Sequence, residues 1–155
     1  MRKLLLLVVL VAACRPETSA PPPPTAPPVD PELLRLPLGQ RLEREAKSRP
    51  TGTPRAEEVL TALTRGGIAV EGARQVLAST VGAAYCTSAG TANGLAVAVC
   101  EYPEEEAARK GMEYSHRVFD RLIPGRRLLV NRKTMLTVTG ADDEARRAAA
   151  IFAAL

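Results

Sequence analysis

The stretch TVGAAYCTSAGTANGLAVAVC, residues 80–100, is where the fold can be read. Val81, Ala83 and Tyr85 alternate with Gly82, Ala84 and Cys86, and Leu95, Val97 and Val99 alternate with Ala96, Ala98 and Cys100. Between them Ser88 to Gly94 is turn-rich and carries an Asn93-Gly94 step. Period-two alternation on both sides of such a segment predicts two antiparallel strands joined as a hairpin. One face carries Val, Leu and Tyr, while the other carries mostly Gly and Ala with both cysteines. A turn centred near Asn93 places Cys86 opposite Cys100 on one face. Directly opposed residues at a non-hydrogen-bonded site lie ~4.5 Å apart at Cα, a span that a disulfide tolerates. A cross-hairpin disulfide is therefore expected.

Outward from this hairpin the period changes to that of a helix. Pro103 ends the second strand and Glu104, Glu105 and Glu106 follow, suited to the positive end of a helix dipole. Ala108, Gly111, Met112, Ser115, Phe119 and Leu122 fall on one stripe, which predicts a helix that packs inward and stops at Ile123-Pro124-Gly125. Gly111 costs about 1 kcal/mol against alanine in mid-helix, so its place on the stripe points to close packing. Residues 127–131 and 134–139 read as a second hairpin turning near Arg132-Lys133, and Asp142, Asp143 and Glu144 open a last helix. Upstream, Thr53-Pro54 resembles an N-cap and N1 pair, Val59, Leu60 and Leu63 share a face, and Gly66-Gly67 supplies a stop. A brief strand is expected at residues 68–70. The fold class predicted is α+β, in the order α-β-ββ-α-ββ-α. It has an antiparallel sheet of about four to five strands with helices mainly on one face.

The first fourteen residues carry a different message. Arg2 and Lys3 precede ten apolar residues, Leu4 to Ala13, and Val11-Ala12-Ala13-Cys14 closes the run with small residues before a cysteine. A spanning helix needs about 20 apolar residues, so this is a secretory signal pattern. Residues 11–14 resemble the lipobox of bacterial lipoproteins. The resemblance covers residues 1–14 only and implies signal cleavage before Cys14, with lipidation of its thiol and acylation, typically with palmitate, of the new terminus. It implies a lipid anchor in a bacterial envelope, and with Arg15 rather than an acidic residue next, the outer membrane in a diderm host.

The division expected is residues 1–13 signal peptide, 14–50 lipidated cysteine and tether, and 51–155 globular domain. Residues 15–31 hold eight prolines and favour extended polyproline geometry. A short, frayed helix is expected over 40–48. Without Arg2 and Lys3, 19 basic side chains face 17 acidic ones, a balance of +2 that does not call for a nucleic-acid partner. With Cys14 lipidated, Cys86 and Cys100 remain as an even pair, as suits an oxidising compartment.

Residues able to carry chemistry are few. His116 is the single histidine, and Asp120 one turn later could orient its ring as in a hydrolytic triad, but no Gly-x-Ser-x-Gly elbow is present. Met112 and His116, four apart, offer thioether and imidazole, a pair that soft copper accepts. Buried-stripe Met and solvated His account for the same residues without a metal. Arg126, Arg127, Arg132 and Lys133 bracket the second hairpin and could form an anion patch, although arginine is the default cation here, 17 against four lysines. No cofactor is expected. The function expected is non-enzymatic: a lipid-anchored binding or accessory module that contacts an envelope protein or anionic surface component. The alternative is a small-ligand, copper-binding or hydrolytic domain built on the helix that carries His116. If Cys14 is the anchor, Cys14→Ser should shift the protein from the membrane fraction to the soluble or unprocessed pool. Unchanged membrane partition would contradict it.

Overall fold

The computed structural model describes residues 25–52 and 54–155, so the signal pattern, Cys14 and Thr53 lie outside the described residues. Helices α1 (Pro31–Arg35), α2 (Leu38–Lys47) and α3 (Ala56–Arg65) come first. Strand β1 (Glu71–Val76), a 3-10 turn (Ala78–Val81), β2 (Tyr85–Gly90) and β3 (Ala96–Glu101) follow. Helix α4 (Glu105–Phe119), β4 (Arg127–Asn131), β5 (Thr134–Thr139) and α5 (Asp142–Ala153) complete the chain. The five strands form one antiparallel sheet, β1-β2-β3-β5-β4, with β3 at its centre. None of the described helices is long and apolar enough to cross a membrane.

The alternation in residues 80–100 becomes the two faces of this sheet. Val97 and Val99 of β3 with Leu136 and Val138 of β5 are buried beneath Val59 and Leu63 of α3 and Ala148 and Phe152 of α5. On the other face Cys86, Cys100 and Met135 pack with Ala78, Tyr102 and Ala108, so α4 and the 3-10 turn cover that side. Two of the three domain helices thus share one face, and α4 takes part of the other. Gly111 shows why: a Cβ there would stand 2.3 Å from the Tyr102 hydroxyl, so only glycine lets α4 approach this ring. Burial raises the Tyr102 phenol above its ordinary pKa, and its hydroxyl donates to the Val81 carbonyl at 3.3 Å.

Several boundaries differ from the sequence expectation. Residues 68–70 are not a strand: Ile68 descends into the core, its N–H bonded to Leu63 O at 2.9 Å. The first strand is Glu71–Val76, an exposed and mostly polar edge strand that carries no apolar alternation to find. In the first hairpin Ala78–Val81 is the 3-10 turn, and Ser88, Ala89 and Gly90, expected as loop, belong to β2. The pairing nevertheless holds, because Cys86 stands opposite Cys100, with 4.1 Å between their Cα atoms and their sulfurs joined. Leu122, expected inward, is 72% exposed because α4 has already ended at Phe119.

Helix α3 starts at Ala56 rather than at Pro54, because its cap is tertiary. The Ala56 N–H donates to Glu101 Oε1 of β3 at 2.7 Å, and the Arg55 N–H to Glu58 Oε2 at 2.9 Å. The other Glu101 contacts run to Arg49, just past α2: Nε to Oε2 at 2.8 Å and Nη2 to Oε1 at 2.5 Å. The same guanidinium grips Glu57 at 2.8 and 2.6 Å and lies 4.2 Å from the Tyr85 ring centroid. The Glu101 and Glu57 carboxylates hold the Arg49 guanidinium even more firmly protonated than usual, and Arg49 in turn lowers the Glu57 carboxyl. Helix α2 docks through a second buried acid. Glu45 accepts from Ala78 N at 3.0 Å and Ser79 N at 3.1 Å, capping the 3-10 turn from outside, while Gln75 Nε2 donates to Leu42 O at 2.7 Å. The polar framework therefore reaches upstream of residue 50.

The disulfide yields a direct check. Closing a loop of about 15 residues should contribute roughly 3 kcal/mol in the chain-entropy model. Thiol titration of the unfolded, unreduced chain should find none free at 86 and 100, and reduction should lower the denaturant midpoint accordingly. Two titratable thiols there would contradict the pairing.

Candidate functional site

The small-residue face of the sheet is only half covered. Its first cross-strand row, Val76, Cys86, Cys100, Met135 and Val130, lies under α4 and the 3-10 turn. Two residues further along the strands come Arg74, Ser88, Ala98 and Thr137, and then Glu71, Gly90, Ala96 and Thr139. Side chains two apart share a face, so these rows continue the same surface. Helix α4 packs on β4, β5 and the 3-10 turn, then ends at Phe119, and it does not extend over them.

The result is a trough of about 510 Å³. Its floor is Ser88, Ala98, Thr137 and Thr139, its β1 rim is Arg74, and its opposite rim is Ile123. Ile123 and the neighbouring Leu122 are exposed despite their size. Floor residues this short leave the sheet backbone close to anything laid on it. They add hydroxyls for orientation, one guanidinium, and apolar side chains at the edge. Such a surface can hold a partner.

The residues singled out from sequence are not gathered there. Arg126 and Arg127 precede or open β4, while Arg132 and Lys133 form its far turn, about 16 Å away for a five-residue strand. Arg126 is also no surface cation, since its side chain is 4% exposed. It donates to Ser115 Oγ at 3.0 Å, to the Ser115 carbonyl, and to Asp120 Oδ1 at 3.0 and 2.9 Å, and its guanidinium lies 5.5 Å from the Phe119 ring centroid. A cation beside the C-terminal half of α4 suits the negative end of its dipole. Arg127 pairs with Asp142 in the first turn of α5, and Arg132 donates to Leu155 O at 3.3 Å.

His116 Nδ1 meets Asp120 Oδ2 at 2.9 Å, and both side chains are about half exposed. The Asp120 carboxyl is held below its ordinary range, first by the His116 hydrogen bond and then by Arg126. Ser115 is buried and its hydroxyl accepts from Arg126, so it is not presented to the imidazole. Met112 packs against the disulfide cluster, and Cys86 and Cys100 are committed to each other. Among the described residues no group of three or more His, Cys, Asp or Glu is placed to hold a metal ion.

Sequence reasoning missed Arg74, Ser88, Thr137 and Thr139 as site residues. The even-numbered, small-residue face of the first hairpin was the available clue, because a face of Gly, Ala, Ser and Thr either sits under a closely packed helix or stays open. Here it does both. Comparison with protein-family models, curated proteins and solved structures finds no match.

Proposed function

We propose that this chain is a lipid-anchored module of a bacterial envelope that works by holding a protein or surface component against the open half of its sheet. The observation that carries the reading is the trough itself. On the three inner strands β2, β3 and β5 the domain has left two cross-strand rows open and kept their side chains small, Ser88, Ala98 and Thr137 then Gly90, Ala96 and Thr139, with Ile123 exposed at the edge. Exposed apolar side chains grouped beside a concave surface mark interaction sites more than they mark chance. The export pattern of residues 1–14 supports a location where such a surface would meet envelope components.

The hydrophobic rim favours a protein partner over an anionic polymer, because the arginines near the second hairpin are already paired within the domain. A small ligand is the second reading, supported by a trough volume within the range of about 300–1,000 Å³ typical of ligand sites. The trough is open on one side, which suits a contact surface better than a site that must bury most of a ligand.

Ala98 lies mid-floor, between Ser88 and Thr137, with its side chain toward the open side. Ala98→Arg should therefore leave the thermal midpoint within a few degrees of the parent, since the new side chain can extend into solvent. It should reduce cross-linking of the mature protein to its envelope partner at least tenfold. Undiminished cross-linking by folded Ala98→Arg and Thr137→Arg proteins would contradict the trough as the contact surface.

A further inference from the structure

We propose that the groove between the 3-10 turn and α4 is a polyproline-binding site, and that the chain fills it in cis with its own segment, residues 25–28. The groove is walled by Val81 and Gly82 at the end of the 3-10 turn and by Ala107 and Tyr114 of α4, and Thr25 to Pro28 lie along it. Pro27 is seated in a notch. A Cβ on Gly82 would stand 2.5 Å from Pro27 Cβ and 2.9 Å from its Cγ, so the pyrrolidine ring occupies the space that any other residue at 82 would take. Gly82 also has a φ of +68°, which disfavours a replacement side chain for a second, independent reason. About 430 Å³ of groove remains beside the seated segment, so the site is larger than the two prolines that mark it.

The chemistry fits the occupant. A polyproline strand has no internal hydrogen bonds to break, loses little entropy on docking, and presents flat rings that pack against an aromatic side chain and an apolar wall. Tyr114, Val81 and Ala107 line the groove with such surfaces, and Lys110, Glu113 and Arg117 of α4 line it with charge. Next to Pro27-Pro28 the chain carries a second cluster, Pro21 to Pro24, of the same composition.

Attachment to the domain sets the strength of the contact. A short flexible link gives an effective concentration in the millimolar range, so a segment that binds with a dissociation constant near 1 mM in trans is about half docked in cis. Such a contact is a latch that a competing polyproline strand can open. The groove and the trough lie on the same side of the sheet.

The test uses the chain from position 14 with Cys14→Ser, compared by NMR with the same chain carrying Gly-Ser-Gly-Ser at residues 25–28. Gly82 and Tyr114 amide positions should differ between the two, independently of protein concentration from 20 µM to 1 mM. Adding a synthetic peptide of residues 21–30 to the Gly-Ser chain should move both amides saturably toward their native positions, with a dissociation constant of roughly millimolar size. Identical spectra at Gly82 and Tyr114 in the two chains would overturn the proposal. So would a difference that the peptide fails to reverse, or one that disappears on dilution, which would assign the occupant to a neighbouring copy.

Discussion

One carboxylate, Glu101, ties together the end of α2, the start of α3 and the central strand at a single buried point. It stands at the end of the central strand, is 4% exposed, and has both oxygens engaged, one with the first amide of α3 as well as with Arg49. An ionised carboxylate is costly to remove from water, and the cost is offset only when each lone pair finds a donor. Arg49 provides a planar fork that matches it, and Tyr85 and Glu57 hold that fork in place. The end of α2, the start of α3 and strands β2 and β3 are thus fixed at one point. Glu45 repeats the device a short distance away, an acid on α2 that caps the 3-10 turn.

The path of the N-terminal segment follows from these two acids. With α2 pinned at Glu45 and Arg49, the chain before it passes the 3-10 turn and α4, where Pro27 finds its notch beside Gly82. The other consequence is for the sheet. Its bulky face is sealed by α3 and α5, whereas its small face has one helix, held close by Gly111 over Tyr102 and ending at Phe119. What α4 does not reach becomes the trough. The two faces of one hairpin are therefore packed differently, one sealed by two helices and the other covered in part by one, and the difference follows the alternation of large and small residues in it.

The parts of the fold that announce themselves by side-chain periodicity could be read in advance. Residues 127–131 and 134–139 are strands as expected from two short β-branched and apolar runs separated by Arg132-Lys133, and Cys86 faces Cys100 because the first hairpin turns near Asn93. Elements held by tertiary polar contacts could not. The edge strand Glu71–Val76 has no apolar period, and the start of α3 depends on Glu101, 45 residues away. The same limit applied to the site. Arg126 has the composition of a surface anion patch but is buried under Ser115, Asp120 and Phe119. Ser88 and Gly90 have the composition of a loop but form the floor and margin of an open face. Residue type marks both groups as unusual, and only the packing partners decide what each does.

The role of Glu101 can be measured directly with Glu101→Gln, which keeps the shape and removes the charge. Removing one partner of a buried charged hydrogen bond costs about 1.5–3 kcal/mol and leaves the Arg49 guanidinium with Glu57 as its one carboxylate partner. Denaturant unfolding should show a loss of that size, and hydrogen exchange should show Ala56 and the last turn of α2 losing protection ahead of the sheet. Unchanged stability with Ala56 still protected would contradict the central place given to this carboxylate.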